Sequence, residues 1–335
     1  MWNCYLTIFK AESPIHIGYK QIGILKTTRY FIIGRAMWGT ITANLTRALF
    51  ENPSPKDYEV AGNFVREYIR TTYFYPAIKE ENEINVGDLT DFYVNLNGSK
   101  FGVFLPSYMD NGLKFGKISK EEFEQRFIGS FVSTALDVST KTAEEGSLHE
   151  FEFIKNKIKI KNKAINVYWI GYLFINMDTK EAKDNSGKKV YDVIIKETNE
   201  DIEVIFAKNE RYYRRNNLKN NILNQLFVGG ERNYGLGKLK LLELTKETNN
   251  KIFGKYDVEL NKEQPILKNL DIAIAHVKLD GLELKFGEIE PVVGLEWSDK
   301  GAGQKVSNAE ICATPGSKLK SGNFILCDYG MLRRI

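Results

Sequence analysis

The sequence predicts an α+β fold, a βαββαβ core that carries large insertions and is followed by a β-rich tail. Three observations point there. The chain opens on a run of aromatic and β-branched residues, Trp2 to Ala11, which reads as a strand. Met37, Ile41, Leu45 and Leu49 recur at a spacing of four, which places them on one face of a helix over 36–50. From 251 to 335 the chain is strand-like and punctuated by glycine, with no helical period.

In order, Ser13-Pro14 stops the first strand, and Ile15 to Gly18 makes a tight turn. Lys26 to Ile33 is extended and leads into the helix, which Gly34-Arg35 opens. Asn52 to Pro55 reads as a linker, 56–70 as a helix and Thr71 to Ile78 as a strand. Residues 79–118 are turn-rich and read as an inserted hairpin or two, followed by a short polar helix over 119–128. The small, polar segment 137–147 suits neither helix nor strand and reads as a long exposed loop. Strands are expected over 148–154 and 164–175, then a peripheral hairpin from Val190–Ile195 and Ile202–Ala207. A helix over Asn217 to Phe227 and a strand from Leu239 close the core. With insertions at about 52–130 and 178–208 set aside, the order within 1–247 is βαββαβ, the ferredoxin-like or RRM-like arrangement. A separate β-rich module is expected over 251–335.

The stretch between the last helix and the last strand is Val228-Gly-Gly-Glu-Arg-Asn-Tyr-Gly-Leu-Gly-Lys238. Gly229, Gly230, Gly235 and Gly237 fall within nine residues, where glycine permits positive φ and close backbone approach. Spacing excludes two common phosphate loops. A Walker A loop needs Ser or Thr after its lysine, but Leu239 follows Lys238. A dinucleotide fingerprint runs strand, loop, helix, and this loop is predicted to run helix to strand. The plain alternative is a tight connection without a ligand. If the loop holds an anion, Arg232 and Lys238 supply charge, and Glu231 is expected to orient Arg232.

Two further basic groups suggest themselves. Lys26, Arg29 and Arg35 lie just before or within the first turn of the first helix, where unpaired N–H groups favour a phosphate. Arg211-Tyr-Tyr-Arg-Arg215 interleaves Arg211, Arg214 and Arg215 with aromatics, a pattern suited to stacking on bases and pairing with phosphates. Both patterns also occur on ordinary solvated surfaces.

Composition limits the other classes. The 335 residues carry 47 basic and 43 acidic side chains, a net charge of +4 that permits nucleic-acid binding without arguing for it. Three cysteines (Cys4, Cys312, Cys327) and three histidines form no zinc-ligand spacing and no disulfide framework. The chain has no secretory signal pattern and no apolar run long enough to span a bilayer, so it reads as cytoplasmic.

Several motifs, in this order and on these elements, resemble the RAMP superfamily, the RNA-binding subunits of CRISPR effector complexes. They are Ser13-Pro-x-His-Ile-Gly18 with Arg29-Tyr-x-x-x-Gly34, the run Thr134-Ala-Leu-Asp-x-x-Thr-x-x-Ala-x-x-Gly-x-Leu148 with its following strand, and Gly229-Gly-Glu-Arg-x-x-Gly-x-Gly237. The tail, with Glu288-x-Glu-Pro and Pro315-Gly-Ser317, is similar to C-terminal extensions of larger type III members. The resemblance implies a subunit of a type III complex acting in antiviral defence, with guide RNA, target RNA and other RAMP subunits as partners and no membrane. It places the glycine loop and the helix N-terminus on the guide backbone, and residues 134–147 as a thumb at the guide–target duplex. Binding needs no cofactor on this view. Asp137 matches an aspartate that supports Mg²⁺-dependent cleavage of target RNA in some members, but Val138 stands where arginine is the familiar neighbour. The alternatives are therefore a non-catalytic RNA-binding subunit, a metal-dependent or guide-processing endoribonuclease, and an assembly or capping subunit. For guide processing His16 is the histidine nearest a signature motif, whereas His276, in an apolar strand, reads as a core residue.

Overall fold

Six elements make the central layer: β1 (Trp2–Ala11), α1 (Gly34–Leu49), α2 (Pro55–Tyr68), β2 (Tyr75–Lys79), β3 (Tyr168–Asn176) and β4 (Lys238–Lys246). The structure is a computed structural model that describes every residue except 82, 111, 138, 143, 145, 179, 209–212 and 299–300, and only the backbone of 213, 297–298 and 301–303.

The strands pair in the order β4-β1-β3-β2, and every pair is antiparallel. Trp2 faces Asn176 across one side of β1, and Tyr5 faces Lys246 across the other. The sheet extends beyond β2 through the hairpin Tyr93–Leu96 and Ser99–Val103, and beyond β4 through Gln225–Phe227.

β1 is apolar on both faces because both are covered. Tyr5, Phe9 and Ala11 pack with Met37, Ile41, Leu45 and Leu49 of α1 and with Val60, Phe64 and Val65 of α2. The alternate residues Trp2, Cys4, Leu6 and Ile8 pack with Ile252, Phe253, Leu267, Leu270, Phe324 and Leu326 of the C-terminal segment. That segment forms a nine-stranded sheet and a two-stranded ribbon, without an α-helix among its described residues, in keeping with its glycine-punctuated sequence. The helix starts are chemically explicit. Ser54 and Asp57 form a reciprocal capping box before Pro55, so the expected linker ends as a cap. Ser119 caps the short helix Lys120–Phe127 one way only, its hydroxyl accepting from the Glu122 N–H.

Three expectations are corrected. No helix spans 217–227. Leu218–Ile222 is a single π-helical turn and Gln225–Phe227 is a strand. Asp201 accepts from the N–H groups of Lys219 and Asn220, which holds that turn, and Asn220, Asn221 and Asn224 are poor residues for extending it. The strand His149–Ile154 lies outside the central layer. It pairs with Ile128–Ser133 and with Leu25–Thr28, in a four-stranded sheet that ends on Gly18–Ile22. The hairpin expected at the periphery is part of the core. Its strands Lys189–Glu197 and Ile202–Ala207 bury Val193, Val204 and Phe206 completely, with the Phe206 ring 5.2 Å from that of Phe64 on α2. No described helix is long and apolar enough to cross a membrane.

Candidate nucleic-acid interface

The glycine loop is stitched to the turn that ends β1. Gly230 N–H donates to the His16 carbonyl at 2.9 Å, Gly237 N–H to Pro14 at 2.8 Å, and Lys238 N–H to the Ser13 hydroxyl at 2.9 Å. Val228 N–H donates to the Gly237 carbonyl at 2.9 Å and closes the loop. Gly229 and Gly237 have φ of +79° and +91°, and a Cβ on them would lie 2.0 Å from the His16 oxygen and 2.2 Å from the Val228 oxygen. These two glycines serve the fold by letting backbone approach backbone. Gly235, at φ +80°, has open space around it and ends the 3-10 turn Arg232–Tyr234. That turn is the exposed crest of the loop. Among the described residues none accepts a backbone bond from the Arg232 or Asn233 N–H.

The loop cations differ in availability. Lys238 pairs with Glu12 at 2.9 Å, and Lys26 pairs with Glu231 at 2.8 Å. Glu231 therefore holds the N-terminal hairpin and does not orient Arg232. The Arg232 side chain is exposed and makes no ion pair among the described residues.

Beside the crest stands an aromatic cluster that the sequence reading did not single out. The Tyr234 ring lies 5.9 Å from Phe131, 5.3 Å from Phe151 and 6.1 Å from His149, and the tyrosine hydroxyl meets His149 Nε2 at 3.1 Å. Phe131 and Phe151 face one another across neighbouring strands. Phe131 and Tyr234 are close to half exposed, at 47% and 45%. Tyr234 sits inside the glycine motif, so its position was visible in the sequence, but its partners come from strands some hundred residues away.

The thumb-like loop leaves the same two strands. Asp137 Oδ1 accepts from the N–H groups of Ser139 (2.7 Å) and Thr140 (2.9 Å) and from the Ser139 hydroxyl. Those bonds, the Ser139 hydroxyl first, hold its carboxyl down at about 2. Among the described residues no three His, Cys, Asp or Glu side chains group to hold a metal ion.

Four of the other predicted cations are held by partners. Arg29 pairs with Glu290 at 2.5 Å and stacks on Tyr19, and Arg35 pairs with Glu296 at 3.2 Å and stacks on Tyr329. A Cβ on Gly34 would lie 2.1 Å from the Tyr329 carbonyl, so the α1 N-terminus expected to cradle a phosphate is covered by the C-terminal segment. Arg214 donates to the Leu49 carbonyl at 2.7 Å at the opposite end of α1, a helix about 24 Å long. There it complements the negative end of the helix dipole. Arg215 faces Glu203 at 3.7 Å, and Arg211 lies outside the described residues.

The structure thus gathers Lys26, Gly229, Gly230, Arg232, Gly235, Gly237 and Lys238 at one edge. It pairs Arg29 and Arg35 with carboxylates of the C-terminal segment, seats Arg214 on the C-terminal end of α1 and sets Arg215 against Glu203.

No family model and no curated protein matches the chain. Solved structures similar to it include a chain of the Type III-B Cmr-beta bound to cognate target RNA and AMPPnP, at 12% identity and a TM-score of 0.45, covering 94% of this chain and 86% of that one. A second, of the Cmr-beta bound to cognate target RNA, gives 12% identity and a TM-score of 0.43 over 94% and 86%. A third, of the apo state, gives 10% identity and a TM-score of 0.36 over 74% and 98%. Scores this low carry no argument about function, which rests on the residues.

Proposed function

We propose that the chain is a guide-RNA-binding RAMP subunit of a type III CRISPR effector complex, working beside target RNA and other RAMP subunits. Its contact with RNA is the crest of the glycine loop and the aromatic surface next to it. The order β4-β1-β3-β2 supports reading the central layer as a ferredoxin-like core whose second helix is replaced by a hairpin and a π-turn. On this reading residues 1–247 form the RAMP domain and 251–335 its C-terminal module.

One observation carries the proposal. An arginine with no ion pair among the described residues, exposed backbone donors and the half-exposed rings of Phe131 and Tyr234 meet at one place, where the sequence carries the glycine motif. Cations and N–H groups bind phosphate without regard to sequence, and aromatic faces take any base. That combination suits a protein that holds a guide and leaves sequence reading to base pairing. Binding of this kind needs no cofactor.

The test is to isolate the protein from its native cell and sequence the small RNA it carries. Guide-length RNAs with a repeat-derived end, recovered with partner RAMP subunits, are the expected result. A preparation free of such RNA sinks the proposal.

A further inference from the structure

The N-terminal hairpin has a second use. Lys26 reaches the glycine loop, but Tyr19, Lys20 and Arg29 line a separate cleft of about 560 Å³. Its other walls come from the insertion, with Tyr108 and Phe115, and from the C-terminal segment, with Phe286, Glu288 and Glu290. That volume lies within the range that takes a nucleotide-sized ligand.

The chemistry of the lining is graded. Aromatic rings supply the walls, and the Tyr108 and Phe286 rings meet edge to face at 6.2 Å. The carboxylates supply acceptors. Glu290 is buried, and its Oε1 takes both Arg29 and His276, which leaves Oε2 for another donor. Glu288 is exposed beside the Tyr108 hydroxyl. Lys20 and Lys120 are exposed cations on the same cleft. A fitting ligand is flat, donates from an edge, and carries an anion.

We propose that this cleft binds an amino-bearing nucleobase, with guanine the best match, stacked near Phe286 and Tyr108, its donor edge toward Glu288 and Glu290 and its phosphate on Lys20 and Lys120. Guanine presents adjacent N–H donors that a carboxylate can accept together. An arginine side chain from a protein partner would also stack and donate, but it would bring a positive charge toward Arg29, Lys20 and Lys120. A nucleotide brings a phosphate to Lys20, which pairs with no carboxylate among the described residues, whereas Lys120 already faces Glu124 at 3.6 Å.

The test uses the intact chain and GMP, with UMP, guanosine and arginine ethyl ester as comparisons, read by calorimetry and saturation-transfer NMR. Saturable GMP binding, at least about tenfold tighter than UMP, is expected from a site that reads a donor edge. Phe286→Ala should weaken GMP binding roughly five- to hundredfold, the range of a lost base–aromatic stack. Glu288→Gln should reduce the preference for GMP over UMP, and Lys20→Ala should weaken GMP but not guanosine. Phe286, Glu288 and Lys20 are all exposed, so the variants should fold. Absence of saturable binding, variants that bind GMP unchanged, or tighter binding of the arginine ester than of GMP each overturn the assignment. GMP binding by a chain that carries no guide RNA would leave this inference standing and remove the guide-RNA proposal; the reverse result would do the opposite.

Discussion

Glu231, the acidic residue of the glycine loop, pairs at 2.8 Å with Lys26, which lies 205 residues earlier in the chain. The pair is partly exposed, so its loss should cost less than about 1 kcal/mol of stability. Its larger effect is on charge, because it occupies a lysine next to the proposed RNA surface. Glu231→Gln should therefore tighten binding of a guide-length RNA, and Lys26→Ala should not. Filter binding at two salt concentrations measures both. An unchanged or weaker affinity in Glu231→Gln would mean that Lys26 does not face the RNA.

Arg232 is the loop cation that no carboxylate neutralises among the described residues. Arg232→Ala should weaken RNA binding equally for unrelated sequences and lower the slope of log affinity against log salt by about one, the signature of a single lost phosphate contact. Tyr234→Ala should instead cost about 1–3 kcal/mol of binding with little change in slope, since it removes stacking and no charge. If both variants bind like the parent, the crest is not the interface.

The glycines separate by structural role. Gly229→Ala and Gly237→Ala would each force a methyl group against a carbonyl oxygen in a left-handed backbone, and each should cost on the order of 3 kcal/mol or more. Gly235→Ala meets nothing and bears only the conformational penalty, about 1 kcal/mol. Urea denaturation should rank the three in that order. Equal losses would contradict the stitched geometry of the loop.

These contrasts also mark what could be read from the sequence. The strands at Trp2–Ala11 and Lys238–Lys246 were legible from local composition, and the helix face Met37-Ile41-Leu45-Leu49 from its spacing. Apolar spacing is also behind the false helix over 217–227. Leu218, Ile222, Leu223 and Leu226 are all fully buried, so the apolar spacing is genuine, but a π-turn and a strand satisfy it. The glycine motif located the loop, whereas the pairing of Glu231 with Lys26 and of Lys238 with Glu12 was hidden, as were the partners of the α1 cations. Arg29–Glu290 and Arg35–Glu296 each join residues 261 apart, and no local pattern announces such a pair. The aromatic cluster was hidden for the same reason, since Phe131 and His149 reach Tyr234 only through the fold.

The Arg29–Glu290 pair belongs to a buried network with an acid-sensitive sign. His276 Nε2–H donates to Glu290 at 2.5 Å, and His276 Nδ1 accepts from the Tyr73 hydroxyl at 2.7 Å, which is the neutral tautomer. Burial, aided by the nearby Arg29 charge, pushes the His276 pKa down. Burial works to raise Glu290, but the His276 hydrogen bond and Arg29 outweigh it and hold its carboxyl at about 2. Both folded pKa values lie below their unfolded ones, about 6.5 for His and 4.3 for Glu, so the unfolded chain takes up protons first. Stability should hold above about pH 6.5 and fall as His276, then Glu290, resists protonation. Glu290→Gln should flatten the acid limb below about pH 4.3, the carboxylate's own share, while His276, deprived of the acceptor that favours its charged form, keeps the fall below about pH 6.5. It should also cost roughly 2–4 kcal/mol at neutral pH, because it leaves the largely buried Arg29 without its partner. An unaltered acid limb in the variant would remove the network from the explanation.

The face of β1 that carries Cys4, Leu6 and Ile8 tests how far the C-terminal segment is a module of its own. Those residues, with Ile170, Tyr172 and Phe174 of β3, are buried against Ile252, Phe253, Leu267 and Phe324. Ending the chain at residue 247 would return at least six apolar side chains to water, on the order of 10 kcal/mol, which is as large as the whole stability of a typical domain. It would also strip Arg29 and Arg35 of Glu290 and Glu296. The truncated chain should therefore be insoluble or bind a hydrophobic dye, and the intact chain should unfold in one calorimetric transition. A soluble, cooperatively folded 1–247 fragment, or two separated transitions in the intact chain, would show instead that the two parts fold independently and that the second core is a docking surface.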